Sequence, residues 1–157
     1  MIKVRKAEEK DIPKMLDLLL QVCNVHHEGR PDLFRKDGQK YKQQDLIRIL
    51  NDEKTPVFAG VDQNDNMLGY AMCIFKEAKN NTSLCDYKSL YVDDLCVDES
   101  YRGQHIGKTI LDFAVNFAKE NGCASVTLNV WACNESARSF YESYGMKIQK
   151  IGMEKLL

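Results

Sequence analysis

The run Tyr87–Val97, the turn Asp98–His105 and the helical pattern Gly107–Asn121 constrain this chain more than any other feature. A strand that passes through a glycine-bearing turn into a helix leaves the first helical N–H groups unpaired and aimed at whatever the turn encloses. The helix dipole adds partial positive charge at the same place. Gly103 and Gly107 allow close backbone approach, and Arg102 and Lys108 bring formal charge. The helix itself is plain. Ile110, Ala114 and Ala118 stack beside Leu111, Val115 and Phe117, and Gly122 stops it. The spacing is neither the G-x-G-x-x-G dinucleotide fingerprint nor a P-loop ending in G-K-[ST]. On spacing alone, the stretch Arg102–Lys108 is an anion-binding turn.

The rest of the chain alternates between strand and helix patterns. Ile2–Arg5 predicts a first strand. Asp11 is placed to cap a helix with Pro13 in its first turn and Ile12, Met15, Leu16, Leu19 and Leu20 as its apolar stripe. Val25–Gly38 is polar and irregular and reads as a loop or a short helix with a turn. Gln43–Leu50 resumes a helical pattern. Val57–Val61 and Met67–Phe75 flank the turn cluster Asp62–Asn66 and predict a hairpin. Tyr87–Val97 alternates little, as a central strand covered on both faces would. Ser125–Trp131 predicts a strand, Asn134–Tyr144 a helix stopped by Gly145, and Lys147–Met153 a last strand. The order β-α-α-β-β-β-α-β-α-β is too interleaved for two domains, so residues 1–157 are expected to form one α/β domain around one sheet.

Bulk properties exclude several classes. With 22 basic and 23 acidic residues the chain has a formal net charge of −1, not the basic excess of a nucleic-acid binder. No apolar run reaches the length of a membrane span, and the charged N-terminus lacks the apolar stretch of a signal peptide, which points to the cytoplasm. Six widely spaced cysteines form neither a C-x-x-C pair nor zinc spacing and read as reduced thiols, so no metal is expected.

Two motifs together carry a resemblance. Val92-Asp93-Asp94-Leu95-Cys96-Val97 followed by Tyr101-Arg102-Gly103-Gln104-His105-Ile106-Gly107-Lys108 resembles the acetyl-CoA signature of the GNAT superfamily of N-acetyltransferases, R/Q-x-x-G-x-G/A. Asn134-Glu135-Ser136-Ala137 through Phe140-Tyr141 to Tyr144-Gly145 resembles the later N-x-x-A-x-x-x-Y-x-x-x-G motif. His105 departs from the pattern, standing where its first glycine usually is. The resemblance is strongest from residue 88 to 145. Asp93-Asp94 sits where the polyamine (diamine) acetyltransferase branch has a Glu-Asp pair, so that branch is the nearest in motif.

The resemblance implies a GNAT-like fold, a central mixed, mostly antiparallel sheet with helices on both faces. It also implies transfer of an acetyl group from acetyl-CoA to an amine acceptor in a ternary complex, and it suggests a homodimer. Tyr141 is then the proton donor to the departing thiolate. Asp93 and Asp94 are the candidates to take the amine's proton and attract a cation. Neighbouring strand residues face opposite sides, so at most one of them points directly into the site, and the resemblance favours Asp93. Leu95, Cys96 and Val97 offer backbone groups to the pantetheine arm. Arg102, Gly103, Gln104, His105, Ile106, Gly107 and Lys108 hold the phosphates, and Asn134 bonds the pantetheine or caps its helix. Cys96 has no histidine placed to activate it and is not expected to act as a nucleophile. His26, His27 and Arg30, with Asp32 beside them, lie in the segment expected to rim the acceptor side. The leading acceptor is a primary amine on a small cationic molecule. A protein or peptide N-terminus or lysine is the runner-up, and a non-catalytic acyl-CoA sensor is an alternative that would not need Tyr141 and Asp93.

Overall fold

The computed structural model describes residues 2–157. Five strands form one sheet in the order β1 (Lys3–Lys6), β2 (Val57–Val61), β3 (Met67–Ala78), β4 (Tyr87–Val97) and β5 (Ser125–Leu128). The first three pairings are antiparallel and β4–β5 is parallel. Period-2 alternation, interrupted by a bulge at Leu68, sorts β2 and β3 between two cores. Val57, Ala59, Met67, Tyr70 and Met72 face helices α1 (Ile12–Gly29) and α2 (Gln43–Leu50). Phe58, Leu68, Ala71 and Cys73 face α3 (Ile106–Glu120) and α4 (Glu135–Ser143). Helices therefore cover both faces of a mixed, mostly antiparallel sheet, as expected.

Four local readings change. Helix α1 runs on unbroken through His26 and His27 to Gly29, where the sequence reads as a loop or a separate short helix with a turn. Its buried residues are Ile12, Met15, Leu18 and Leu19, while Leu20 is exposed. Asp11 does not cap α1 with its side chain. Its carboxylate takes the Arg5 guanidinium at 2.7 and 3.0 Å and the Glu8 N–H at 2.8 Å, tying β1 to the turn before the helix. Finally, Lys147–Met153 forms no strand: residues 147–157 lie outside every helix and strand, and Ile148 and Ile151 are 61% and 75% exposed.

Candidate active site

Strand β4 is the axis of the site. It pairs with β5 only over Ser89–Val92, but with β3 all the way to Val97. Beyond Val92 the β5-facing edge of β4 has no strand partner among the described residues, so a cleft opens between the parted strands. The parting coincides with a β-bulge. Met72 of β3 faces Asp94 and Cys73 faces Val92, which leaves Asp93 as the extra residue of β4. The bulge also suspends the alternation expected for this pair. Asp93 accepts from the Tyr41 hydroxyl at 2.6 Å, Asp94 accepts from the Tyr70 hydroxyl at 2.8 Å, and both tyrosines pack in the core under α1 and α2. Two successive carboxylates thus turn toward one helical layer.

The two carboxylates differ in surroundings. The Lys40 ammonium lies 3.1 Å from Asp93 Oδ2 and bonds the Asp93 carbonyl at the same distance. Tyr41 also uses Oδ2, so Oδ1 is left without a protein donor among the described residues. Burial pushes the Asp94 carboxyl above the usual carboxylate range, against the pull of the Tyr70 hydrogen bond and the Lys40 charge. Sequence reasoning missed Lys40, Tyr41 and Tyr70, because their relation to Asp93 and Asp94 comes from chain segments remote in sequence.

At the far end of β4, Asp98 is buried and holds the turn in place. Its carboxylate accepts from the Ser100 N–H at 2.9 Å and pairs with Lys14 of α1, while its N–H donates to Leu68 of β3. These contacts keep Asp98 below the usual carboxylate range, the Lys14 hydrogen bond first among them. Gly103 and His105 then adopt left-handed backbone angles, φ 78° and 61°. The angle at His105 explains why a glycine suits that position, and histidine is among the side chains that tolerate it best. The six N–H groups from Gly103 to Lys108 meet no protein acceptor among the described residues. Unpaired donors of this kind at a helix N-terminus are able to hold an anion. The two cations beside the turn are engaged elsewhere: Arg102 Nε donates to the Val97 carbonyl at 3.2 Å and Lys108 pairs with Asp112 at 2.8 Å. Val97 therefore has its carbonyl occupied here, Cys96 turns its backbone groups to Tyr70 of β3, and of the three expected positions Leu95 and the Val97 N–H face the open edge. A Cβ added at Gly107 would sit 3.5 Å from Val97 and 3.6 Å from Phe140, in ordinary contact, so nothing in the protein's own packing demands glycine there.

Helix α4 packs Phe140, Tyr141 and Tyr144 against the sheet face that α3 covers. Asn134 caps α4, its side-chain oxygen accepting from the Ala137 N–H at 3.1 Å. Tyr141 is half-buried with α3 and β4 neighbours, and its hydroxyl has no protein partner among the described residues. Burial first, then the charge of Asp94, pushes its phenol well above the usual range, so it holds its proton at neutral pH. Tyr144, one turn on, instead donates to Asp112 at 2.7 Å. Cys96 is buried with its sulfur 3.5 Å from the Leu18 carbonyl, and burial pushes its thiol up to about 12, which leaves almost no thiolate to act as a nucleophile.

Of the acceptor-side residues, His26 stacks on Phe34 with ring centroids 5.0 Å apart. Burial first, then the Lys40 charge, lowers its basicity. His27 bonds the Phe34 carbonyl at 2.7 Å, and Arg30 pairs with Asp32 and Glu154, so neither is engaged with Asp93. Trp131 meets Phe34 edge to face at 5.0 Å, a packing contact.

Residues 19–146 match the Acetyltransferase (GNAT) family. The chain is 34% identical to a glucosamine 6-phosphate N-acetyltransferase of Arabidopsis thaliana over 156 residues, which cover 98% of this chain and 95% of the relative. It is 24% identical to a thialysine N-epsilon-acetyltransferase of Sus scrofa, over 93% of this chain and 84% of that one. A tetramutant of the BH1408 protein from Bacillus halodurans has a crystal structure that superposes with a TM-score of 0.94 at 30% identity, covering 99% of both chains. The family match takes in the whole of the β4 cleft together with α3 and α4 on its flank. The chain is thus an acyltransferase enzyme, a member of the acetyltransferase (GNAT) family.

Proposed function

We propose that the protein moves an acetyl group from acetyl-CoA to a primary amine of a small cationic molecule, directly and with both reactants bound. The observation that carries this reading is the run of β4. A single strand leads from two carboxylates, along an open edge, to a turn of unpaired N–H groups. The turn Gly103–Lys108 suits the phosphates of coenzyme A, and Arg102 and Lys108 sit close enough in sequence to swing onto them. The open edge, with the Leu95 N–H and carbonyl and the Val97 N–H, suits the amides of the pantetheine arm, which would lie against it like an added strand, while Cys96 turns its backbone groups to Tyr70 of β3. Asn134 adds its side-chain amide. Bound there, acetyl-CoA supplies a thioester.

The residues then divide the proton work. Asp93 Oδ1, free of protein donors, takes a proton from the acceptor ammonium directly or through water, giving an amine able to attack. Tyr41 and Lys40 hold the other oxygen and fix the carboxylate. Asp94, behind it, adds negative charge that favours a cation at the mouth. Tyr141 keeps its proton until the sulfur departs, then donates it from Oη. A sensor without catalysis would have no use for an unpartnered phenol at this place.

Lys40 favours a second reading of the acceptor. Its ammonium beside Asp93 suits an amine that also carries an anionic group, such as a phosphorylated amino sugar, the kind of substrate named for the relative from Arabidopsis thaliana. Peptide and lysine acceptors remain the runner-up. Six unbridged cysteines suit a reducing, cytoplasmic location, and a homodimer is part of the same proposal. The test is a coenzyme A release assay with acetyl-CoA against polyamines, amino-sugar phosphates, amino acids, aminoglycosides and peptides. Turnover with a diamine supports the first reading and turnover with an amino-sugar phosphate the second. Turnover with peptides alone overturns both.

A further inference from the structure

A primary amine of the chain itself already stands beside the proposed base. The Lys40 ammonium lies 3.1 Å from Asp93 Oδ2 and donates to the Asp93 carbonyl, also at 3.1 Å. The residues on either side of it build this placement. Asn24 of α1 and Asp37 exchange two hydrogen bonds, the Asn24 amide nitrogen to Asp37 Oδ1 at 3.0 Å and the Asp37 N–H to Asn24 Oδ1 at 2.8 Å. Gly38 lies so close to α1 that an added Cβ would sit 2.8 Å from Cys23 Sγ. After Lys40, the Tyr41 hydroxyl bonds Asp93. The chain is thus fastened just before Lys40 and just after it, and the amine is held at the bulge of β4.

Other lysines of this region are held elsewhere. Lys14 is shared between Asp17 and Asp98, and Lys108 pairs with Asp112, both at the turn end of β4. Lys40 differs in two ways. Its partner is the carboxylate assigned to deprotonate the acceptor. Its side chain is also 43% exposed, and an ion pair that open holds weakly, so the amine can leave the carboxylate and return. Any acceptor ammonium must come within hydrogen-bond reach of Asp93 to give up a proton, so Lys40 stands where that acceptor would stand. Being tethered, it competes at a high effective concentration and has little freedom left to lose.

We propose that Lys40 is itself an acetyl acceptor, taking the acetyl group of acetyl-CoA bound to the same chain when no free amine occupies the site. The inference rests on the catalytic reading given above and adds a modification site to it. One proton of the Lys40 ammonium passes to Asp93. The freed electron pair on Nζ attacks the thioester carbonyl carbon, and the C–N bond forms as the C–S bond breaks. The sulfur leaves with its electron pair and takes the proton of Tyr141. The surplus proton on the new amide nitrogen returns to Tyr141 through water, and Asp93 releases its own to solvent. The products are an Nε-acetyl-lysine, the free thiol of coenzyme A and one proton. The acetylated side chain has no ammonium, so its pair with Asp93 ends and the carboxylate is left to free amines.

The test is mass spectrometry of the full chain incubated with acetyl-CoA and no added amine, followed by peptide mapping. The wild type is expected to gain one acetyl group per chain, on Lys40, with a rate constant that does not change with protein concentration. Asp93→Asn and Tyr141→Phe should each slow that gain by roughly 10²-fold. Lys40→Arg keeps a cation beside Asp93, and with its fold checked by circular dichroism it should lose the gain altogether. A wild type left bare at Lys40 overturns the proposal. So does an equally fast gain in Lys40→Arg, which would assign another lysine, or a rate constant that rises with protein concentration, which would make the transfer intermolecular. Equal rates in the wild type, Asp93→Asn and Tyr141→Phe would reduce it to uncatalysed acetylation and overturn it as well. Coenzyme A release with diamines and amino-sugar phosphates, run in parallel, separates two failures. Turnover with Lys40 bare overturns this inference alone, whereas no transfer to any amine, Lys40 included, overturns the catalytic reading with it.

Discussion

The carboxylate of Asp93 accepts a 2.6 Å hydrogen bond from the hydroxyl of Tyr41, and it does so from the one position where β4 has a residue more than β3. The bulge turns Asp93 out of the ladder, and Tyr41 fixes where it turns. Asp93→Asn keeps the shape and removes the base, so kcat/KM should fall by roughly 10²–10⁴. Tyr41→Phe should cost less, raising the KM for the acceptor while acetyl-CoA affinity stays constant. Steady-state kinetics on both variants checks this. Equal losses from both would make Tyr41 a participant and not a positioning residue.

His105 pays a conformational cost at φ 61°, of the order of 1–2 kcal/mol for a side chain in that region. His105→Gly removes it but frees the unfolded chain, which takes back about 0.5–1 kcal/mol. The variant should melt at or slightly above the wild-type temperature, and calorimetry should find coenzyme A bound nearly as well, because the backbone N–H groups do the holding. A marked loss of affinity would assign the imidazole a phosphate contact.

Gly107 separates packing from ligand. An added Cβ meets only ordinary contacts, at 3.5 Å and beyond. Gly107→Ala should fold normally, with a helix gain of roughly 0.5–1 kcal/mol. Gly107→Glu should also fold, yet lose acetyl-CoA binding through crowding and repulsion at the phosphates. Normal calorimetric binding by the Glu variant would remove the phosphates from this turn.

Much of this site is legible along the sequence because it is local. The turn Gly103–Lys108, the α3 stripe and the Asn134 cap each depend on residues within a few positions of one another. The bulge at Asp93 is not local. It exists only through the pairing of β4 with Met72 and Cys73, which no pattern within β4 reports. Tyr41 and Lys40 reach Asp93 from more than fifty positions away. His26 and His27 read as a loop or a separate short helix because the segment is polar and irregular, whereas α1 continues through them without a break. Lys147–Met153 has the pattern of a strand, but a strand exists only through its pairing, and residues 147–153 pair with no strand among the described residues.

Asp94 gives a dependence on pH. Its folded-state pKa is raised, so the folded protein binds its proton more tightly than the unfolded chain does. Its contribution to stability is fully present below the ordinary carboxylate pKa, about 3.9, and is lost as pH rises through the raised value. Asp94→Asn removes the penalty and keeps an acceptor for the Tyr70 hydroxyl. In melting curves the variant should match the wild type in acid and exceed it by a growing margin toward neutral pH. A constant margin across that range would mean that burial does not penalise the charged form of Asp94.

Tyr141 and Tyr144 lie three residues apart on α4 and make a matched pair. Tyr144 spends its hydroxyl on Asp112 at 2.7 Å, whereas Tyr141 spends its own on nothing in the protein. Tyr144→Phe should therefore cost about 1 kcal/mol of stability and leave turnover intact. Tyr141→Phe should leave the melting temperature unchanged, because no hydrogen bond is lost, and keep acetyl-CoA affinity. Its kcat should fall by roughly 10²-fold or more, the worth of a general acid at a departing thiolate. The deficit should shrink for a thioester whose thiol is more acidic, since such a leaving group needs less help. Unchanged turnover in Tyr141→Phe, with Tyr144→Phe behaving as stated, would return Tyr141 to the core as packing alone.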